Sequence, residues 1–305
     1  MKLKNQQIKE VLENYSVGEF KSKTLVYNEW NTAYSLKTTK GDFLLKILNF
    51  QNEKELLKEI EVMNRLKEKI PCSFPLLSKD KKYYIKYNGS IVLIKKFIKG
   101  KPVLRGEKLS NKNLSQLGKY YAIIHKTKNL SNIPKRDLFI HLQSFFHKIG
   151  KSSKEYEIAK STLTFLKKRN FNPKILPKGL IHADLHTENL LVNNGKIVVI
   201  LDFEDSHIGT FIYDLGICIL DTCWKGRSLS EERIVTFVKG YESIRKLTEQ
   251  EKEHLIDSAI LAGLYTLHFS IIRNGINNKK NLNYYVVKRF LSLLKQRALP
   301  SPTLK

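Results

Sequence analysis

A chain of 305 residues, 42% hydrophobic and 10% aromatic, holds enough apolar material for two core-bearing lobes and does not have the composition of a disordered segment. Its 54 Lys and Arg against 29 Asp and Glu leave a formal charge of +25, yet the lysines recur from Lys2 to Lys305 and interleave with glutamates, so the charge reads as a solvated surface and not as a nucleic-acid arm. The three cysteines, Cys72, Cys218 and Cys223, form no CxxC pair and have no His at zinc spacing, which leaves reduced core thiols.

In chain order, residues 1–15 mix charge through an amphipathic pattern, without the continuous apolar stretch of a secretory signal, and predict a first helix near residues 8–14. Residues 23–27 and 32–38 alternate as a hairpin about Asn28-Glu29-Trp30-Asn31, and Lys40-Gly41-Asp42 turns into an apolar strand over 43–48. Lys46 is the one cation within that strand, and a lysine placed there must snorkel or pair. The acidic helix that follows offers Glu55, Glu59 and Glu61. Residues 71–77, 82–86 and 90–98 continue the sheet, and Gly100-Lys101-Pro102 marks a boundary, giving lobes over 1–99 and 100–305. Beyond it the pattern is helical: residues 113–126, 139–149, 156–168, 217–224, 231–243, 253–274 and 284–297. His125, on the apolar face of the first of these, reads as a packed structural histidine. No stretch reaches a membrane span's length; residues 260–272 come closest and carry His268, so the expectation is a soluble, cytoplasmic protein with no membrane partner.

The chemistry lies in residues 180–215, LIHADLHTENLLVNNGKIVVILDFEDSHIGTFIYDL. Two short apolar strands flank Asn193-Asn194-Gly195, which is hairpin-turn chemistry, and the acids fall at strand ends. Asp184 follows the first strand, Asn189 lies five residues on, and Asp202 follows Val198-Val199-Ile200-Leu201. Two carboxylates and a carboxamide are hard oxygen ligands that suit Mg²⁺ carrying a phosphate-bearing substrate, which is the requirement of phosphoryl transfer.

His182-Ala183-Asp184, Asn189 and Asp202-Phe203-Glu204, with the last acid eighteen residues after the first, resemble the signature of the aminoglycoside phosphotransferase superfamily. That group also holds choline kinases, fructosamine kinases and type II homoserine kinases. The resemblance implies an α+β, bilobal, protein-kinase-like fold with a small antiparallel-sheet N-lobe and a mainly helical C-lobe. It implies ATP and Mg²⁺ as cofactors, Asp184 as the catalytic residue facing the acceptor hydroxyl, and Asn189 and Asp202 as metal ligands. His182 and Asp214 would support the catalytic loop; His186 and Thr187 occupy variable positions and receive no role. Lys46 and Glu59 are similar to the strand lysine and helix glutamate that grip the α- and β-phosphates, and main chain near Phe97 and Ile98 would meet the adenine edge. The expected first hairpin lacks phosphate-covering glycines, leaving backbone N–H groups and Asn28, Asn31 or Thr32 for that contact.

The stretch YNEWNTAYSLKTTKGDFLLKI and the segment Asp221-Thr222-Cys223-Trp224 resemble the type II homoserine kinase branch, the latter with its order changed. The expected activity is therefore transfer of the γ-phosphate of Mg·ATP to a hydroxyl of a small molecule, a homoserine-like amino alcohol first, an aminoglycoside or choline-type acceptor in reserve. Asp205, Asp221 and Trp224 are the acceptor-pocket candidates: an acid for an ammonium group and an aromatic wall beside it. The alternative is a non-catalytic kinase-like binding or structural protein of the spore-coat type. It is disfavoured because a chain freed from catalysis has no physical reason to keep converging acids. Oligomeric state and the role of Glu204 are not decided by the sequence.

Overall fold

A computed structural model describes residues 2–28, 31–49, 51–148, 153–272 and 284–295. The expected turn residues Glu29 and Trp30, Ile149, and the helix ends at Asn274 and Arg297 lie outside the described residues. The chain divides into two compact units, Met1–Lys101 with Val198–Glu204, and Pro102–Ile197 with Asp205–Lys305. A single linear boundary at 99/100 therefore misses one feature: residues Val198–Glu204 belong with the first unit. The cause is a backbone seam, in which Ile200 N–H donates to Pro71 O at 2.7 Å and Ile200 bridges Cys72 in parallel.

The first unit opens with α1 (Asn5–Leu12), then β1 (Phe20–Asn28), β2 (Asn31–Thr38), β3 (Gly41–Leu48), α2 (Glu53–Leu66), β4 (Ile85–Tyr87) and β5 (Ser90–Lys96). The strands form one antiparallel sheet in the order β1-β2-β3-β5-β4. Side-chain alternation sends Leu45 and Ile47 of β3, with Val92 and Ile94 of β5, into one core with Ile8, Val11 and Leu12 of α1. Each such buried aliphatic contributes about 1.5–3 kcal/mol, and the same alternation turns Lys46 to the opposite face. Helix α2 starts where it does because Asn52 and Glu55 form a reciprocal cap, each side chain accepting the other's backbone N–H at 3.0 Å. Residues 71–77, read as a strand, make only isolated bridges at Cys72 and Pro75, because Pro71 and Pro75 have no N–H to sustain a ladder.

The chain runs through β6 (Lys101–Pro102) to the helical unit: α3 (Asn111–His125), α4 (Leu138–Lys148), α5 (Lys154–Lys168), β7 (Lys178–Ile181), β8 (Leu190–Asn193), β9 (Lys196–Ile200) and β10 (His207–Thr210). It continues with α6 (Phe211–Thr222), the small pair β11 (Trp224–Lys225) and β12 (Ser228–Leu229), α7 (Glu231–Glu242), α8 (Glu249–Glu253), α9 (Leu255–Ile272) and α10 (Tyr284–Lys295). Asn194 and Gly195, with φ of 48° and 69°, supply the left-handed turn between β8 and β9 that Asn-Gly favours. β10 pairs antiparallel with β7, His207 opposite Ile181, so the strand before Asp184 is fixed in register by the strand that leads into α6. Two helices differ from the reading of the sequence. α6 begins at Phe211, directly after β10, and the helix expected over 253–274 breaks at His254 into α8 and α9. α9 also runs longer than its apolar stretch suggests: 18 residues at mean hydropathy 1.6 meet the length of a membrane span, but 67% of it is buried inside the fold, as in a core helix. The expected α+β class is observed, with an antiparallel sheet in the first unit and helices dominating the second.

Candidate active site

In the second unit, β7 ends at Ile181 and the chain turns sharply at Ala183, whose φ of 69° is left-handed for a non-glycine residue. Asp214, fully buried in the first turn of α6, holds that turn by accepting the backbone N–H of His182 and of Ala183, both at 2.8 Å. Such charge-assisted bonds, about 1.5–3 kcal/mol each, exceed the roughly 1–2 kcal/mol cost of one left-handed residue. His125 Nε2 lies 3.1 Å from the same carboxylate, and its Nδ1 lies 2.7 Å from the Tyr241 hydroxyl. Burial lowers the His125 pKa despite Asp214, so the ring is neutral and donates from Nε2 while Tyr241 donates to Nδ1. The histidine stacks on Phe211 at 4.5 Å and is a buried structural member of this turn.

The turn presents Asp184, whose side chain is 47% exposed. Asn189 Nδ2 donates to the Asp184 backbone oxygen at 2.8 Å and to its carboxylate at 3.2 Å. Both amide hydrogens are thereby directed at Asp184, and Asn189 Oδ1 has no protein partner among the described residues. His186 Nε2 stands 3.6 Å from the Asp184 carboxylate; Arg105 Nη2 lies 3.0 Å from the same nitrogen, and Arg105 Nε donates to Glu188. Burial pushes the Asp184 pKa up, but His186, His182 and Arg105 outweigh it and hold the group below the usual carboxylate range. Sequence reasoning left His186 without a role and did not single out Arg105. The histidine's position two residues after the acid is a local signal; Arg105 has none, because its contact spans 81 residues of chain.

In the first unit, Asp202 has a φ of 58° and its carboxylate lies 3.5 Å from Lys46 Nζ. Burial opposes the Lys46 charge, yet Asp202, Glu59 and Glu204 together raise its pKa, so the lysine is a cation throughout the working range. Glu59, 3% exposed, accepts a hydrogen bond from Gln51 Nε2 at 3.2 Å, and the ion pair of Lys46 goes to Asp202 in its place. Phe97 and Ile98 follow β5 directly and are half-buried, with Phe97 N–H donating to Asp42 O at 3.1 Å. Lys46, Glu59 and Asp202 are thus gathered in one unit, and Asp184, Asn189, His182 and Asp214 in the other.

The three acceptor-pocket candidates divide. Asp221 is buried and accepts Thr187 N–H at 2.7 Å; Trp224 is buried and donates from Nε1 to Leu220 O at 2.7 Å. Their polar groups serve the backbone, and Arg289 covers the Trp224 ring at 5.4 Å. Asp205 by contrast is half-exposed and lies 3.7 Å from Arg136, beside a pocket lined by Arg136, Pro173, Gly209, Thr210 and Tyr213. Tyr213 and Tyr265 meet edge to face at 5.7 Å. Burial raises the pKa of both, and neighbouring charges, Asp184 and Asp205 among them, raise them further. Among the described residues no group of three His, Cys, Asp or Glu side chains is arranged to hold a metal by itself. Asn189 Oδ1 in the second unit and the Asp202 carboxylate in the first are each hard oxygen donors, the chemistry that a magnesium-type ion takes.

The chain is 26% identical over 270 residues to a homoserine kinase of Methylobacillus flagellatus, spanning 81% of this chain and 78% of that relative. A microcompartment-associated aminopropanol kinase superimposes with a TM-score of 0.72 at 18% identity, covering 99% of both chains. An amicoumacin kinase bound to AMP-PNP and Ca²⁺ superimposes with a TM-score of 0.71 at 18% identity, covering 99% of this chain and 96% of that one, so the fold is kinase-like. The model of the phosphotransferase enzyme family matches residues 28–248, well over half of the sequence, and the chain belongs to that family.

Proposed function

We propose that this phosphotransferase moves the γ-phosphate of a magnesium-bound purine nucleoside triphosphate, such as ATP, to the side-chain hydroxyl of homoserine or a closely similar amino acid, in the cytoplasm. The observation that carries the reading is the Asp205–Arg136 pair, 3.7 Å apart and half-exposed in the unit that holds Asp184, with Arg136 and Tyr213 lining one pocket and Tyr265 packed edge to face on Tyr213. An α-amino acid brings one ammonium and one carboxylate, and the pair offers one partner for each. Choline and aminoglycosides bring cations alone and leave Arg136 without a use. The name of the relative from Methylobacillus flagellatus supports the same acceptor.

In this reading Asp184 accepts a hydrogen bond from the acceptor hydroxyl and orients it, taking its proton late. The depressed pKa keeps it ionised for that task. Asn189 fixes the Asp184 carboxylate through Nδ2 and offers Oδ1 to the metal, with Asp202 as the second ligand. The bound metal ion would neutralise the phosphate oxygens and align the transferred group. Lys46 neutralises the phosphates with a charge secured by Asp202 and Glu59, and main chain at Phe97 and Ile98 meets the purine. His182, Asp214 and Asp221 are positioning residues, since their contacts are to the loop that carries Asp184 and Asn189.

The test is nucleoside diphosphate release with homoserine, 3-aminopropan-1-ol, choline and kanamycin, using Asp184→Asn as the blank. Homoserine should turn over, with a loss of about 10²–10⁴-fold in the blank. Arg136→Met should raise KM for homoserine roughly tenfold or more, the weight of a charged hydrogen bond, and leave aminopropanol unaffected. Turnover of aminopropanol or choline above homoserine, or an Arg136→Met variant with unchanged KM for homoserine, would overturn the amino-acid acceptor.

A further inference from the structure

The first unit holds a second, largely buried lysine that the reaction as described does not use. In the β3/β5 register Lys46 lies opposite Leu93 and Leu44 opposite Lys95, so Lys46 and Lys95 are diagonal neighbours on the sheet face turned away from α1. Lys95 is only 8% exposed. Lys46 has Asp202, whereas the Lys95 side chain has no hydrogen bond and no ion pair among the described residues. Glu59 from α2, Asp202, the like charge of Lys46 and Cys72 surround it, and desolvation prevails, lowering its pKa. A lysine stem held in the sheet with its donors unused by the protein is the kind of group that a ligand acceptor can engage.

Its place along the strand says which part of a nucleotide. Lys95 is one diagonal step from the phosphate-binding Lys46 toward residues 96–98, the segment assigned above to the purine edge. A lysine ammonium has three donors and no acceptor. A 6-oxopurine presents acceptors at O6 and N7, whereas adenine presents a donor amine at C6 beside N7. Resting on the nucleotide-binding reading above, we propose that Lys95 reads the purine C6 substituent and makes the site prefer a 6-oxopurine triphosphate, GTP or ITP, over ATP as phosphoryl donor. The chemistry of transfer is unchanged: the bond between the γ-phosphorus and its bridging oxygen breaks, the acceptor oxygen takes the phosphoryl group, and the hydroxyl proton leaves by way of Asp184.

The experiment measures kcat/KM for the magnesium complexes of ATP, GTP and ITP at saturating homoserine, and in parallel calorimetric Kd values for ADP, GDP and IDP, for the wild type, Lys95→Met and Lys95→Gln. The diphosphate titrations need no acceptor. The wild type should favour GTP and ITP by roughly tenfold or more, one hydrogen bond to a charged donor, with ITP tracking GTP because it keeps the C6 oxygen and lacks only the C2 amine. Lys95→Met should abolish the preference without lowering Tm, since it replaces an unpaired buried charge by an apolar chain of similar length. Lys95→Gln, which both donates and accepts, should bring the ratio near one. Equal losses for all three nucleotides in Lys95→Met would make Lys95 a phosphate contact and overturn the proposal, as would an unchanged ratio. Absence of any nucleotide binding to the wild type would instead overturn the kinase reading on which this one rests.

Discussion

Asp184 combines two opposed demands, and the balance between them lies in one neighbour. Enclosure alone would push its pKa up; the positive charge of the neighbouring His186 is the largest of the influences that reverse this. Removing His186 therefore has a definite sign. In His186→Gln the Asp184 pKa rises, the carboxylate protonates at higher pH, and the acid limb of the kcat/KM profile moves upward while the plateau at alkaline pH is retained. The loss at neutral pH should stay well below the 10²–10⁴-fold expected of Asp184→Asn, since the carboxylate proposed to face the acceptor is still there. The measurement is the pH–rate profile of the two chains side by side; coincident acid limbs would mean that His186 only packs. The histidine's position was readable, two residues beyond the acid, but its role was not, because Arg105, which lies beside its ring, arrives from a loop 81 residues earlier.

The elements that carry the loop are themselves held by close backbone approach. Where α3 crosses α7, a Cβ on Gly118 would sit 2.2 Å from Phe237 O and one on Gly240 2.0 Å from Ser115 O. Alanine at either site would gain about 1 kcal/mol of helix propensity, but overpacking against fixed backbone costs about 1–3 kcal/mol, so the clash prevails. Gly118→Ala and Gly240→Ala should each lower Tm by several degrees, and since both separate the same pair of helices, the double variant should lose less than the sum. A differential scanning measurement that finds either single variant as stable as the parent would show that the helices can move apart freely. These glycines carry no signal in the sequence, being ordinary positions in helical periodicity. The strands of the first unit and the Asn-Gly turn were legible because alternation and turn chemistry are local. The seam between Ile200 and Pro71 and the start of α6 at Phe211 were not, since long-range pairing leaves no periodic trace and an apolar run such as Phe211-Ile212-Tyr213 has no phase. The same division holds among the candidate residues: Asp184, Asn189, Asp202 and Lys46 were named from motif and pattern, whereas the partner of Asp205 became visible only in three dimensions.

At the scale of the whole molecule, the charge of +25 is spread along the chain and has no single ligand, but it acts on whatever approaches. The proposed donor, a magnesium-bound nucleoside triphosphate, carries net negative charge; the proposed acceptor, homoserine, is a zwitterion and carries none. A diffuse positive field therefore concentrates one substrate and is indifferent to the other, which gives an internal control. Raising ionic strength from about 0.1 M to about 1 M shortens the screening length from roughly 10 Å to roughly 3 Å, removing the long-range attraction while sparing the contact pair of Lys46 with Asp202 at 3.5 Å. The KM for the nucleotide should rise several-fold across that range, the KM for homoserine should hold, and kcat should change little because the groups that touch the transferred phosphate are not screened. Steady-state kinetics in a non-interacting salt make the comparison. If both KM values rise together, the salt is loosening the fold or the acceptor's own charged partners; if neither moves, the lysine surface contributes solubility alone and the affinity for the nucleotide is local to its site.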